Sequence, residues 1–167
     1  MSASIDMISN VQIHPAIHFK NYTIRVLDTD ELSITNAVNL LCSNCPNESD
    51  RYEQSRLTRE IECIDTRPFY KLFWGAYDSD NVLIGIGGIK AADWASDTHI
   101  LHTMAVDESH RGKGLGSKLE LARIQWVRDN FSHGRCLVST KHKKRFDRWG
   151  FKIVSEVNDR YLMLFEF

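Results

Sequence analysis

The order of apolar and polar positions predicts that the folded part of the chain begins with a strand and two helices. After an irregular arm that reaches about Asn21, YTIRVL alternates strong β formers, and Asp28 and Asp30 are typical helix-start residues. A first helix runs from there to the NCPNES cluster, and a second is predicted from about Ser49 to Ile64. The positions expected to face the core are Leu32, Ala37, Val38, Leu40 and Leu41 in the first helix, and Tyr52, Leu57 and Ile61 in the second.

The rest of the chain changes to a strand-rich pattern. FYKLFWGAY and VLIGIGGIKAA are separated by DSDN, which predicts an antiparallel hairpin, and HILHTMAV continues as a third strand. A helix begins at Gly114 and ends before FSHG, and CLV is a short buried strand. A short basic helix runs from about His142 to Trp149, and FKIVSEV and RYLMLFEF are the final strands. The order β-α-α-β-β-β-α-β-α-β-β predicts an α/β fold, an α+β arrangement with a mixed sheet.

Length and composition predict one folded domain. The chain has 167 residues, of which 43% are hydrophobic and 26% charged, with only 3 prolines, so one core and little disorder are expected. We divide it into an N-terminal arm, residues 1–20, and a domain, residues 21–167. The longest apolar runs are strand-sized, and the first residues lack the pattern of a secretory signal. These features predict a cytoplasmic protein with no membrane partner.

Charge is divided unevenly along the chain, although the formal net charge is only -1. Between residues 28 and 65 the acids are Asp28, Asp30, Glu31, Glu48, Asp50, Glu53, Glu60, Glu62 and Asp65, against Arg51, Arg56 and Arg59. Between residues 111 and 152 the bases are Arg111, Lys113, Lys118, Arg123, Arg128, Arg135, Lys141, Lys143, Lys144, Arg145, Arg148 and Lys152, against Glu120, Asp129 and Asp147. The first segment is therefore acidic and the second basic.

The cysteines give little support for a metal or redox site. Cys42 and Cys45 form a C-x-x-C beside Pro46, but a structural zinc site needs a second ligand pair at comparable spacing, and none follows. His14 and His18 are the only nearby upstream histidines. We expect no metal, because unpaired cysteines are usually small buried apolar residues.

A glycine loop is the main candidate for chemistry. RGKGLG follows a predicted strand and opens a helix, where unpaired N–H groups and the helix dipole favour an anion. Gly112 and Gly114 allow the backbone to approach a ligand closely, which suits a pyrophosphate. The glycine spacing matches neither a P-loop nor the dinucleotide fingerprint. Taken alone, the cluster is equally typical of a plain turn before a helix.

The surroundings of this loop resemble the GNAT acetyltransferases. MAVDESHRGKGLGSKLELA is similar to motif A of that family, an apolar strand, a short turn and R-x-x-G-x-G opening a helix, with Arg111, Gly114 and Gly116 at the signature positions. RFDRWGF is similar to the end of motif B, aromatic-x-x-x-G-F, with Phe146 as the aromatic residue. The resemblance in element order covers residues 22–167. It implies the GNAT acyl-CoA N-acyltransferase fold and acetyl-CoA as cosubstrate.

The resemblance also implies which residues bind acetyl-CoA. The strand before the loop would pair with the pantetheine arm, the loop amides would hold the pyrophosphate, and the motif B aromatic residue would lie near the sulfur. The expected cofactor-binding residues are Met104, Ala105, Val106, Arg111, Gly112, Lys113, Gly114, Leu115, Gly116 and Phe146. The candidates for the adenosine end are Lys113, Lys118, Lys141 and Lys143, although a lysine on a helix is more often part of a solvated surface.

Acyl transfer to an amine needs a group that removes a proton, and His102 is the candidate catalytic residue. It lies on the strand before the loop, and His-x-x-Ala-Val is similar to the histidine-bearing strand of arylalkylamine N-acetyltransferases, with one residue more in the spacing. His99, Asp97 and His110 are alternatives, and a β-bulge in the strand would change which of them faces the site.

The residue that would protonate the leaving thiolate is open. Many family members have a tyrosine where this chain has Phe146, which has no proton to donate. Either Ser139, Thr140, His142 or Tyr161 supplies the proton, or the thiolate leaves without assistance.

Three classes of function remain. The first is an N-acetyltransferase acting on a primary amine, and the acidic helices favour a cationic small molecule or a lysine side chain as acceptor. The second is a CoA-binding sensor or regulatory module with little catalysis. The third is an acyltransferase acting on nucleic acid or aminoacyl-tRNA through the basic KHKKRFDR stretch. The formal net charge of -1 argues against this third class. A homodimer is left open.

Overall fold

The computed structural model describes residues 15–45, 52–62 and 69–167. The strands are β1 Ile17–His18, β2 Tyr22–Val26, β3 Lys71–Asp78, β4 Leu83–Ala91, β5 Thr98–Val106, β6 Arg135–Thr140, β7 Lys152–Val157 and β8 Arg160–Glu166. The helices are α1 Glu31–Asn44, α2 Gln54–Ile61, α3 Leu115–Asn130 and α4 Lys143–Asp147. In the described part of the chain, none of these helices has the length and apolar character needed to cross a membrane.

The described strands form one eight-stranded sheet in the order β1-β2-β3-β4-β5-β6-β8-β7. Neighbouring strands are antiparallel except for β5 and β6, which are parallel, so the predicted mixed α/β sheet is confirmed. The hairpin of β3 and β4 forms as expected. Strand β1 is an addition: it lies in the segment that the sequence pattern leaves irregular, and it pairs Ile17 with Ile24.

The helices cover the two faces of the sheet, each over its own core. Phe73 packs in a buried cluster with the apolar residues of α1 and α2, whereas its neighbour Trp74 packs in a cluster with α3. Adjacent residues of a strand point to opposite faces, so the two clusters lie on opposite sides of the sheet. The ring centroids of Trp74 and Trp126 are 5.6 Å apart, which anchors α3 on its face.

Helix α1 begins where the sequence predicts. Asp30 is the N-cap, and its carboxylate accepts a hydrogen bond of 3.0 Å from the backbone N–H of Ser33. The prediction that Leu32 faces the core is wrong, because its side chain is 69% exposed. Nine residues at about 100° each place Leu32 on the opposite side of the helix from the fully buried Leu41.

Helix α2 is shorter than predicted. Glu53 is its N-cap, and the carboxylate accepts hydrogen bonds from the backbone N–H groups of Ser55 and Arg56. The chain at Glu53 is therefore extended, and Tyr52 precedes the helix. The first and last residues of the predicted helix, 49–51 and 63–64, lie outside the described residues. The buried positions Leu57 and Ile61 are as expected.

Helix α3 follows the predicted bounds closely and buries the apolar positions of its pattern. It also buries two charged residues, Glu120 and Arg123, whose exposed fractions are 0% and 2%. The periodicity of the sequence gives no indication of this. Buried charges are rare unless they are paired, so these two residues mark a specific internal arrangement.

Replacement of Leu41 by Ala should lower the free energy of unfolding by about 2–5 kcal/mol, because it removes a fully buried side chain of α1. Leu32→Ala in the same helix is the matched control and should change it by less than about 0.5 kcal/mol. Urea unfolding of both variants measures the difference. Equal losses would contradict the orientation of α1.

Candidate functional site

The site is built on a gap between two parallel strands. Strands β5 and β6 pair only from Thr98 opposite Arg135 to Leu101 opposite Val138. β5 then continues to Val106, while the last residues of β6 pair with β8. The gap opens into a cleft of about 960 Å³ and an adjoining cavity of about 320 Å³, which share several lining residues. Beyond Leu101, β5 therefore has no neighbouring strand on the side that β6 leaves.

The glycine loop closes one end of the cleft. A 3₁₀ turn, Glu108–His110, follows β5 and is capped by Asp107, whose pKa is lowered by the hydrogen bonds from Ser109 and His110. Gly112 and Gly114 then adopt φ values of +75° and +79°, which favour glycine. A Cβ built on either glycine would have no atom within 4 Å among the described residues, so both face open space.

Helix α3 begins directly after this loop without a side-chain cap. Gly114 occupies the N-cap position, and no described side chain accepts a hydrogen bond from the first turn there. The first residues of the helix line the cleft, and the first N–H groups of a helix have no partner within it. This arrangement can hold an anion through backbone amides and the helix dipole.

The structure brings most of the expected cofactor-binding residues to this cleft. The expected residues that line it are Met104, Ala105, Val106, Arg111, Gly112, Gly114, Leu115 and Gly116. Lys113 does not line it, and its ammonium group donates to the Ser109 carbonyl at 3.2 Å. Phe146 lines the adjoining 320 Å³ cavity instead, where it is buried and packs edge-on against Phe151.

Arg111 fixes the loop to the rest of the protein. Its guanidinium donates to the Val106 carbonyl at 3.0 Å and to Asn44 Oδ1 at 2.7 Å. The first contact joins the loop to the end of β5, and the second joins it to the last residue of α1. The side chain expected to supply a cation is therefore also a structural link.

The basic residues of the cleft come mainly from α4 and the turn before it. Of the four candidates for the adenosine end, Lys141 and Lys143 line the cleft. Lys118 does not, and its ammonium lies 5.3 Å from the ring centroid of Phe19. The sequence interpretation did not select three further basic residues that line it, Lys144, Arg145 and Arg148. The basic run was visible in the sequence, but the direction of each side chain was not.

A buried carboxylate anchors α4 to α3. Glu120 forms an ion pair with the Nε of Arg145, and its Oε2 accepts a hydrogen bond of 3.4 Å from Trp149 Nε1. Burial raises the pKa of Glu120, and the charges of Arg145 and Arg123 oppose that rise. Arg145 lines both the cleft and the cavity, and its Nη2 lies where a Cβ on Gly116 would be, at 2.3 Å. A side chain at 116 would therefore displace the guanidinium of Arg145.

His102 lies at a bulge of β5, on the side of the sheet covered by α1 and α2. The register shifts between Gly87, opposite Met104, and Gly88, opposite His102. The extra residue is Thr103, with φ of +42°. His102 lines the small cavity, and its Nδ1 is 3.0 Å from Thr103 Oγ1 and 3.5 Å from Glu60 Oε1.

Two of the alternatives to His102 lie away from the gap. His99 is buried, with Nδ1 2.6 Å from the hydroxyl of Tyr70, and packs among aromatic rings at the other end of β5. Asp97 is in the turn before β5 and lies 3.9 Å from His133. His110 lines the large cleft, and its Nδ1 is 3.2 Å from Asp107.

The candidates for protonating a leaving group are spread along the gap. Ser139 lines the small cavity, and the Thr140 hydroxyl accepts a hydrogen bond of 3.0 Å from the backbone N–H of His142. Tyr161 lines the large cleft, and the ammonium of Lys143 lies 4.8 Å from its ring centroid. These positions place a hydroxyl beside each of the two spaces.

The cysteines and nearby histidines give no sign of a metal centre in residues 15–45, 52–62 and 69–167, where no group of three or more possible ligands comes together. Cys42 donates from Sγ to the Tyr52 carbonyl at 3.3 Å, which joins α1 to the segment before α2. Burial raises the pKa of Cys136 to about 12, so this thiol stays protonated. Cys63 and His14 lie outside the described residues.

Comparison with known proteins identifies relatives of the fold. Residues 35–150 match the sequence model of the acetyltransferase (GNAT) family. No curated protein matches the chain by sequence. Among solved structures, the chain is similar to the GNAT family N-acetyltransferase YhbS from Escherichia coli in complex with CoA, with a TM-score of 0.67 and 15% identity over 92% of this chain and 85% of that one.

Two further structures show the same likeness. An acyl-CoA N-acyltransferase from Pseudomonas aeruginosa has a TM-score of 0.67 and 15% identity, over 86% of this chain and 97% of that one. Aminoglycoside 6'-acetyltransferase type Ii has a TM-score of 0.65 and 18% identity, over 85% of this chain and 95% of that one. At these identities the likeness shows the fold.

Replacement of Gly114 by Val should abolish the binding of acetyl-CoA, the ligand expected from the sequence. A β-branched residue is strained at φ of +79°, and its side chain would enter the cleft. Calorimetry measures the affinity. Gly150→Val is the matched control, because Gly150 has φ of +89° and does not line the cleft. Unchanged affinity in Gly114→Val, or an equal loss in the control, would contradict the role of the loop.

Proposed function

The chain belongs to the acetyltransferase (GNAT) family, and on this premise we propose that it transfers the acetyl group of acetyl-CoA to a primary amine. The observation that carries the proposal is the gap between β5 and β6, which opens on one side to the glycine loop and on the other to the smaller cavity. A thioester lying in this gap would present its acetyl group between the two spaces. The cosubstrate and the acceptor would then approach from different sides.

Acetyl transfer to an amine sets three tasks for the protein. The neutral amine nitrogen attacks the thioester carbonyl, so that a C–N bond forms and the carbonyl oxygen becomes negative. Collapse of this intermediate breaks the C–S bond, and the thiolate leaves with the bonding electrons. The proton lost by the amine passes to a base, and the thiolate takes up a proton to give CoA. The protein must therefore hold the thioester, accept one proton and stabilise the oxyanion.

The residues around the gap support an assignment of these roles. The amides of residues 111–116 would bind the pyrophosphate, and the backbone of residues 104–106 would bind the pantetheine arm. Lys141, Lys143, Lys144 and Arg148 line the same cleft, where their charge would lie beside the phosphates of bound acetyl-CoA rather than on a separate nucleic-acid surface. This arrangement supports a small-molecule or protein acceptor over a nucleic acid.

We place the proton acceptor at His102, paired with Glu60 of α2. The 3.5 Å approach of Glu60 to His102 Nδ1 would stabilise the protonated ring and fix its orientation. Lys90 also contacts Glu60, at 3.4 Å, so the carboxylate is held from two sides. Phe146 has no proton to donate, and the hydroxyl of Tyr161 is the group in the large cleft that would protonate the thiolate.

The acceptor is either cationic or carries an anionic group beside its amine, and one observation favours each alternative. Glu60 lies beside the cavity residue His102, and this negative charge favours a cationic acceptor such as a polyamine or a lysine side chain. Glu48 and Asp50, which the sequence interpretation also counted, lie outside the described residues. The described cavity lining includes Lys141, Arg145 and Arg160, which favours an acceptor with an anionic group beside its amine.

Substitution of His102 by Gln should lower kcat by about 100-fold or more without changing the affinity for acetyl-CoA, since the base acts on the amine. Steady-state kinetics and calorimetry measure the two effects. His133→Gln is the control, because its side chain is 75% exposed and remote from the gap. A kcat within twofold of the wild type would exclude His102 as the base.

A matched set of acceptors decides the charge of the substrate: putrescine, its amino-alcohol analogue and its amino-acid analogue share a chain length and differ in charge. For a cationic acceptor we expect putrescine to give the fastest thiol release. Its KM should rise with salt, because screening lengths fall from ~10 Å at 0.1 M to ~3 Å at 1 M. Preference for the amino acid would select an acceptor with an anionic group. Failure of the protein to acetylate any amine would contradict the proposed function.

Charge reversal separates a local effect from general ionic strength. Glu62 is exposed at the end of α2, so Glu62→Lys leaves both the Glu53 cap and the Glu60 pair in place. This variant should raise the KM of a cationic acceptor and leave kcat nearly unchanged. Glu166→Lys makes the same change of charge at the end of β8, away from the cavity, and should change neither constant.

A further inference from the structure

Arg123 is a charged residue enclosed in the core of the protein. It lies on α3, is 2% exposed, and donates from Nε to the Leu119 carbonyl at 3.0 Å. Its remaining donors leave the helix and reach the sheet. Nη1 donates to the Gly88 carbonyl at 2.8 Å and to the His102 carbonyl at 3.4 Å, and Nη2 lies 3.1 Å from the Met104 sulfur.

These contacts meet at the β5 bulge. Gly88 and His102 are the pair at which the register shifts, so one guanidinium binds both strands on the side where Thr103 is inserted. A Cβ on Gly87 would lie 2.9 Å from the Cζ of Arg123. The glycine therefore allows the guanidinium to lie directly against β4. A bulge with positive φ at a threonine needs such support, because this conformation is unfavourable for a β-branched residue.

The bulge lies where β5 leaves β6. Pairing between these strands ends at Leu101, and the next three residues of β5, 102–104, line the 320 Å³ cavity. The position of their backbone groups decides what a ligand in the gap meets. Arg123 holds that backbone from the α3 side of the sheet, where it is 2% exposed and borders the same cavity.

The charge of Arg123 is only partly balanced. Arg123 and Glu120 are buried beside each other, and Glu120 is also paired with Arg145, which is 29% exposed, so that the formal charges of the three residues sum to one positive charge. Burial lowers the pKa of Arg123 to about 10, so the group remains cationic at neutral pH. A fixed positive charge in a water-excluded place stabilises negative charge that develops nearby.

We propose that Arg123 is a positioning residue for acetyl transfer: it holds the β5 bulge in the shape that receives the thioester carbonyl, and its buried charge favours the oxyanion formed there. This inference rests on the proposed function. It differs from a role in stability alone, because it concerns the carbonyl group of the ligand. A ligand without that carbonyl should be insensitive to Arg123.

The test compares acetyl-CoA with S-ethyl-CoA, which keeps the size of the acyl group and lacks the carbonyl oxygen. Arg123→Lys keeps the charge and loses the planar fork, and Arg123→Met loses both. Gly87→Ala keeps Arg123 and displaces its guanidinium. Arg128→Met is the control on the same helix, since Arg128 is exposed. Calorimetry gives the affinities, kinetics give kcat and KM, and thermal unfolding identifies variants that remain folded.

In the wild type we expect tighter binding of acetyl-CoA than of S-ethyl-CoA. Arg123→Lys and Gly87→Ala should narrow this difference and lower kcat by about tenfold to 100-fold, since a displacement of 1 Å in a reacting group can have that effect. Affinity for CoA itself should stay within twofold, because the glycine loop is untouched. Arg123→Met should show the largest loss, and Arg128→Met none.

The proposal is overturned if Arg123→Lys and Gly87→Ala are folded and keep both the wild-type kcat and the wild-type difference in affinity between acetyl-CoA and S-ethyl-CoA. It is also overturned if the wild type binds these two ligands equally. It is also overturned if kcat falls only in proportion to the folded fraction. The binding measurements need no amine. A wild type that acetylates no amine, but whose carbonyl preference depends on Arg123, would contradict the proposed function and leave the positioning role standing.

Discussion

The end of pairing between β5 and β6 is the constraint on which the other features depend. Two parallel strands that separate within a sheet leave backbone N–H and C=O groups without a ladder partner, and such groups need a hydrogen bond from another source. The chain places the bulge at Thr103, the glycine loop and the basic helix α4 around that opening. Acetyl-CoA suits this opening because its amide-rich arm can pair with the strand backbone, while its phosphates can bind the glycine loop and the basic residues of α4.

The buried charges of α3 connect the opening to the rest of the molecule. Glu120 holds α4 through Arg145 and Trp149, and Arg123 holds β4 and β5 at the bulge. Removal of charges from water is costly, so a cluster of this kind is a weak contributor to stability compared with apolar packing. Its value lies in geometry, because each member fixes an element that borders the cleft or the cavity.

The charge at the site depends on the contacts of individual side chains rather than on the net charge of the acidic or the basic segment. In the acidic segment, Glu53 caps α2 and Glu60 binds Lys90 and His102, so their charge is used locally. In the basic segment, Lys118 turns away from the cleft that Lys143 and its neighbours line. The sign of a stretch of sequence therefore gives only a first estimate of the field that a substrate meets.

The sequence by itself determined what depends on neighbours in the chain. The Asp30 cap, the positive φ of the glycine loop and the apolar face of α3 follow from local backbone preferences and from periodicity, which a single segment carries. Only the tertiary structure decided that Arg123 is buried and that His102 faces Glu60. Each of these depends on a strand or helix distant in sequence, and no local pattern encodes which distant partner a side chain will meet.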